Sequence, residues 1–161
     1  MKKYCFLIMI VAAIFVFCSC SPDDLDASSV PSESIPTQEQ SDRFAEESGL
    51  KMYMAQTEYP MGTEVVVAYI ENPTENEAGY GADWFLERYD EILGFQPVQP
   101  KEPIAFVDIW YILYPNKTST FTVNLTYYGE NIQPGRYRVT ATSVAMDSVG
   151  GGTLYAEFSI R

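Results

Sequence analysis

The chain has 161 residues, room for one domain, and its 22 Asp and Glu against 10 Lys and Arg give a net charge of −12. That acidity excludes nucleic acid as a partner, because binding it relies on basic patches that neutralise phosphate, and it opposes docking of the domain face on anionic lipid. There is no histidine, so Ser-His-Asp triads, Cys-His pairs and histidine-ligated zinc are excluded together.

The N-terminus reads as an address. Lys2 and Lys3 precede an almost unbroken apolar run from Tyr4 to Phe17, followed by the small polar exit Cys18-Ser19-Cys20-Ser21. A basic start, an apolar middle and a small-residue exit predict a secretory signal peptide over residues 1–19. The run is short of the roughly 20 apolar residues that a membrane-spanning helix needs. The exit resembles a bacterial lipobox, the processing site of lipoproteins, formed here by Phe17, Cys18, Ser19 and Cys20. It departs from the usual pattern in having Phe17 where Leu is common and Cys18 where Ala or Ser is. Cys20 follows the small Ser19 whereas Cys18 follows the bulky Phe17, so Cys20 is assigned as the lipidated residue, with ordinary secretion as the alternative. A diacylglyceryl group would hold the chain stably on the outer face of the membrane. All three cysteines (Cys5, Cys18, Cys20) lie within the first 20 residues. The domain beyond them is therefore expected to be disulfide-free, resting on its core alone.

Residues 20–48 read as an acidic linker. Asp23, Asp24, Asp26, Glu33, Glu39, Asp42, Glu46 and Glu47 face a single base, Arg43, among Ser, Pro and Gln. Such a segment buries too little apolar surface to offset its ordering entropy, so disorder is expected, with a helical turn at Asp42–Glu47 as the exception.

From residue 49 to 161 the texture is that of an all-β domain. Seven strands are predicted, at about 50–57, 63–71, 79–88, 104–113, 118–128, 135–144 and 153–160, with the spacing of a sandwich or barrel. Phe121, Val123, Leu125 and Tyr127 alternate with polar neighbours, and Leu154, Ala156, Phe158 and Ile160 do the same, the pattern of half-buried antiparallel strands. Asn72-Pro73-Thr74, Tyr114-Pro115-Asn116, Gln133-Pro134-Gly135 and Gly150-Gly151-Gly152 punctuate the strands, the last read as a flexible hairpin. Ala82 to Leu93 has near-helical spacing of Trp84, Phe85, Tyr89, Ile92 and Leu93. Tyr80, Ala82, Trp84 and Leu86 also alternate, and strand followed by a hairpin turn at Asp90–Gly94 is the preferred reading.

The stretches YIENPTENEAGYGADWFLERYD, YILYPNKTSTFTVNLTYYG and IQPGRYRVTATSV resemble the bacterial Ig-like domains of clostridial-type membrane lipoproteins. The positions that carry the resemblance are Asn72, Tyr80-Gly81, Leu86-Glu87-Arg88 and Pro134-Gly135-Arg136-Tyr137-Arg138; Gly94 and Phe95 depart from the family's usual turn. The resemblance implies an immunoglobulin-like antiparallel β-sandwich of about seven strands, and no particular chemistry. Within such a sandwich Tyr137, three residues after Pro134, is placed to hydrogen-bond a turn carbonyl, and Trp84 takes the place of the core tryptophan.

No cofactor or metal motif is present. Glu71, Glu75 and Glu77 share one loop and Asp90 and Glu91 another, on turns that read as solvated charge and lack the rigid cleft a carboxylate pair needs; the first loop also lacks calcium-loop spacing. Aromatic residues make up 14% of the chain, with 12 tyrosines. Most are expected in the core and in cross-strand pairs, with Trp110-Tyr111 the best candidate for an exposed binding face. The expected function is a non-catalytic, lipid-anchored binding or spacer module at the bacterial cell envelope, with the membrane and an unknown envelope protein or glycan as partners. An Ig-like protease inhibitor, suggested by Asn72-Pro73-Thr74, and an accessory subunit of an envelope complex are the alternatives.

Overall fold

The structure, a computed structural model, describes residues 37–161. The expected signal peptide over residues 1–19, Cys20 and the first part of the linker lie outside the described residues. Helix α1 (Gln38–Ser48) leads into ten strands: β1 (Lys51–Met54), β2 (Glu58–Tyr59), β3 (Val65–Asn72), β4 (Ala78–Gly81), β5 (Trp84–Asp90), β6 (Gly94–Pro97), β7 (Trp110–Leu113), β8 (Lys117–Asn124), β9 (Gly135–Met146) and β10 (Gly150–Ile160).

The strands form a disulfide-free all-β sandwich. One sheet has the order β1-β3-β8, and β2, β4 to β7, β9 and β10 make the other. β9 organises the larger sheet. One of its edges pairs with β10 along its length, while the other is divided between β5, opposite residues 137–141, and β4, opposite residues 144–146. β7 adds outside β4, and β6 outside β5.

Period-two burial builds the core. Val66, Ala68 and Ile70 on β3 are fully buried, and Phe121 and Val123 lie beside them on β8. Leu86, Tyr137, Val139, Ala141, Ala156, Phe158 and Ile160 supply the facing layer from the larger sheet.

Among the described residues, ten strands form where seven were expected. The predicted strand 50–57 stops at Met54, and the chain pairs again at Glu58–Tyr59 beside β10. Gly94–Pro97 adds a strand beside β5, and other boundaries move as well. The predicted strand 79–88 is two strands. Gly81 to Asp83 breaks the run, and Asp83 accepts hydrogen bonds from the Ser143 hydroxyl (2.7 Å) and, through its carbonyl, from the Thr142 N–H (3.4 Å). The predicted strand 104–113 is regular only at Trp110–Leu113, because β4 offers four partners. The strand predicted to run to residue 128 ends at Asn124, whose side chain accepts from the Thr126 N–H (3.0 Å) and hydroxyl (2.6 Å) and turns the chain. Tyr127 is thereby left exposed and Tyr128 buried.

Gly150 to Gly152, read as a hairpin, instead start β10 in register with β9, and the turn lies just before them, closed by a bond from Val149 N–H to Met146 C=O (3.0 Å). A Cβ on Gly152 would collide with the Phe44 ring. The bare strand is the seat of α1.

The acidic segment expected to stay disordered through residue 48 is helical from Gln38 to Ser48. Thr37 and Gln40 form a capping box, and Gly49 ends the helix at φ 72°. Composition undervalued the segment because its docking is concentrated in three side chains on one face. Phe44 is buried against Gly152, the Ser41 and Thr153 hydroxyls share a hydrogen bond (2.5 Å), and the Tyr155 hydroxyl donates to Asp42 (2.6 Å).

That last contact is sensitive to alkali. Partial burial, then the hydrogen bond to and charge of Asp42, push the Tyr155 hydroxyl from 10.0 up to about 12. A raised folded-state pKa contributes stability that is complete below the unfolded value and lost as pH rises through the folded one. The α1 contact should therefore weaken between pH 10 and pH 12. Hydrogen exchange of the α1 amides across that range reads it, and Tyr155→Phe, which cannot ionise, should abolish the step.

Candidate functional site

The residues singled out for structure lie in two places. Tyr137 is fully buried, its ring stacked on Phe158 with centroids 5.6 Å apart. Its hydroxyl donates to the Gln133 carbonyl (2.6 Å) and accepts from the Gln133 N–H (2.9 Å). Pro134 and Gly135 form the turn between them. The Pro134 carbonyl accepts from Arg88 Nη2 (2.9 Å), and the Arg88 side chain lies against Gly135. Trp84 is buried at the start of β5, edge-on to Phe106 (5.5 Å) and tilted against Tyr128 (6.0 Å).

The acidic loop between β3 and β4 is ordered by Asn72. Its amide donates to the carbonyls of Asn76 (2.7 Å) and Leu113 (3.1 Å), and its oxygen accepts from the Thr74 N–H (3.1 Å) and hydroxyl (2.7 Å). Asn72 is thus a tie between this loop and the end of β7. Glu75 accepts from Asn116 (3.3 Å) across the same gap. Among the described residues no group of three His, Cys, Asp or Glu side chains is placed to hold a metal ion. Asp90 in the β5–β6 turn accepts from the Leu93 and Ile92 N–H groups, which hold its carboxyl below the ordinary 3.8.

Two of the positions that carry the family resemblance, Glu87 and Arg138, meet in a polar cluster on the outer face of the larger sheet, a pairing that the sequence did not disclose. Glu87 of β5 and Arg138 of β9 are cross-strand neighbours, both almost fully buried. Arg138 donates through Nε and Nη2 to the two Glu87 oxygens, each at 2.7 Å, and the Thr140 hydroxyl adds a third bond (3.2 Å). The guanidinium lies 4.4 Å from the Phe95 ring centroid and 5.0 Å from that of Tyr155. Both Glu87 oxygens are satisfied by protein donors, which is the geometry of a structural tie.

The exposed surface of β7 is different. Trp110 is 53% and Ile112 56% exposed, and Ile109, Tyr111 and Tyr114 are open as well. The pleat points Trp110 and Ile112 to one side and Tyr111 to the other. The Trp110 ring lies over Gly79, where a Cβ would collide with it. Tyr111 stacks on Tyr80 (5.2 Å between centroids), whose hydroxyl is hydrogen-bonded to Ser119. A recess of about 320 Å³ opens among Lys101–Ala105, Thr126 and Tyr127, at the segment that leads toward β7.

Residues 46–159 match the family described as a bacterial Ig-like domain. The chain belongs to that family. No curated protein matches it. Among solved structures, the periplasmic chaperone SfaE is similar over 70% of this chain and 56% of its own, at 11% identity and a TM-score of 0.43. The chain thus spans little more than half the length of that protein. The archaellum periplasmic stator protein FlaG from Sulfolobus acidocaldarius is similar over 68% of this chain and 99% of its own, at 16% identity and a TM-score of 0.37.

In this bacterial Ig-like domain, half-exposed aromatic and aliphatic side chains run along an edge strand. Solitary exposed apolar residues need no explanation, but a contiguous run does. Trp110 and Tyr111 were legible as candidates from the sequence. Their companions Ile109, Ile112 and Tyr114 were not, because only the edge position of β7 decides that they stay uncovered.

Proposed function

We propose that the protein is a non-catalytic binding module, anchored by lipid at Cys20 on the outer face of a bacterial membrane and presenting the β7 surface to a partner in the cell envelope. The observation that carries the binding half is the uncovered run Ile109–Ile112 with Tyr114 on an ordered domain. The N-terminal sequence supports the anchored half: a basic start, an apolar run and a small-residue exit ending at Cys20. Residues 21–36 then supply a polar, acidic stretch between lipid and fold.

Cys20→Ser tests the anchor. The variant is expected to lose incorporation of labelled fatty acid and to leave the membrane fraction, with the unfolding midpoint of its domain unchanged. Labelling that persists at Cys18, or membrane retention without any label, would show the assignment to be wrong.

A further inference from the structure

We infer that β7 is a strand-addition site for an extended peptide segment of a partner protein, with apolar residues at alternate positions and Lys or Arg at its ends. This rests on the reading of the domain as a binding module. β7 pairs with β4 along one edge and is the last strand of its row. Among the described residues its other edge has no strand partner, so, apart from the Leu113 carbonyl that accepts from Asn72, the backbone N–H and C=O groups on that edge are open to an added strand.

Edge strands are ordinarily blunted by a charge, a proline or a bulge within the strand. Trp110-Tyr111-Ile112-Leu113 carries none of these, and the proline comes only at Pro115. The side chains open on both sides of the strand, Trp110 and Ile112 on one and Tyr111 on the other. A strand laid alongside would cover both sets with its own alternating side chains. Trp110 against Gly79 and Tyr111 against Tyr80 are already held in place, so little rotamer freedom is lost on binding.

Charge selects the occupant. Asp108 lies just before β7, while Glu77, next to the partner of Leu113, and Glu75, bonded to Asn116, lie at its far end. Lys117 at the start of β8 offsets one of them. Acidic groups at both ends favour basic groups at both ends of the added strand. The same charges, on a chain of net −12, oppose pairing of β7 with a second copy, where they would meet their own kind.

The test uses the full chain in detergent with synthetic peptides of alternating Val and Thr. One ends in Lys at both termini, one ends in Glu, and one has Lys ends and a central Pro. The Lys-ended peptide is expected to protect the amides of residues 110–113 from hydrogen exchange, with affinity that falls as salt rises. The Glu-ended and Pro-containing peptides should bind at least about tenfold more weakly. Ile112→Lys should weaken binding by about tenfold with the unfolding midpoint unchanged, since that side chain faces solvent, and Trp110→Ala provides a second variant.

Absence of β7 protection with every peptide overturns the inference. So does protection that grows with protein concentration alone, which would assign the edge to a second copy. A response of Trp110 fluorescence to soluble cell-wall glycan fragments, with none to the peptides, would likewise overturn the peptide site but leave the binding-module reading standing. Silence towards peptides, glycan fragments and a second copy alike would remove both.

Discussion

Arg138→Ala is expected to destabilise the domain by about 3–5 kcal/mol, because it leaves the Glu87 carboxylate buried with its cation removed. The carboxylate keeps one bond, from Thr140, and loses two charge-assisted ones. Phe95 and Tyr155 flank the guanidinium's place on two sides, and a recess lined by Thr37, Gln38, Glu87 and Arg138 opens beside it. The cost measures an orphaned charge and not the net worth of the pair. Replacing both partners by apolar residues of similar size, Glu87→Leu with Arg138→Met, should therefore recover most of the loss and can exceed the parent. Urea unfolding of the parent, both single variants and the double variant gives the coupling directly. A cost for Arg138→Ala below about 1 kcal/mol, the range of exposed pairs, would show that the site is wet.

The pair also bears on specificity. Glu87 faces Arg138 in the β5–β9 register, and Arg138 faces Glu157 in the β9–β10 register. A slip of one residue in β5 would turn the Glu87 carboxylate into the apolar interior. The double variant should thus keep stability while losing that restriction, seen as extra cross-peaks or broadened signals in an amide spectrum.

The legible parts of this fold are those where one strand's own alternation decides its burial. Leu154, Ala156, Phe158 and Ile160 are all buried, and each could be assigned from β10 by itself. The parts that needed partners were hidden. Glu87 and Arg138 stand 51 residues apart, and their meeting depends on which strand lies beside β9. Gly152 looked like a turn because its reason, the ring of Phe44, lies in a segment whose composition argued for disorder. The length of β7 follows the four residues of β4 and not the longer apolar run 104–113. For the candidate site, the chemistry of Trp110 and Tyr111 was readable in the sequence. The edge position that leaves them uncovered is a property of sheet order, which local pattern does not encode.

Trp84→Ala should cost about 3–5 kcal/mol, and its consequences should extend beyond stability. The indole is buried against Phe106 and Tyr128. With no cysteine among residues 37–161, no covalent link between the sheets limits the collapse of the cavity left behind. Phe106 belongs to the irregular segment between β6 and β7, and its edge-on contact with Trp84 is worth about 0.5–1.5 kcal/mol beyond the area it covers. Removing the indole therefore loosens residues 104–109 in particular, and with them the approach to Trp110. Hydrogen exchange in Trp84→Ala is expected to rise more across residues 104–113 than across β9 and β10, while Trp84→Phe, which keeps an aromatic partner for Phe106, shows a smaller and even change. An increase spread uniformly over the domain would mean that Trp84 serves the core alone. A selective one would make the buried tryptophan the support on which the exposed β7 surface is held.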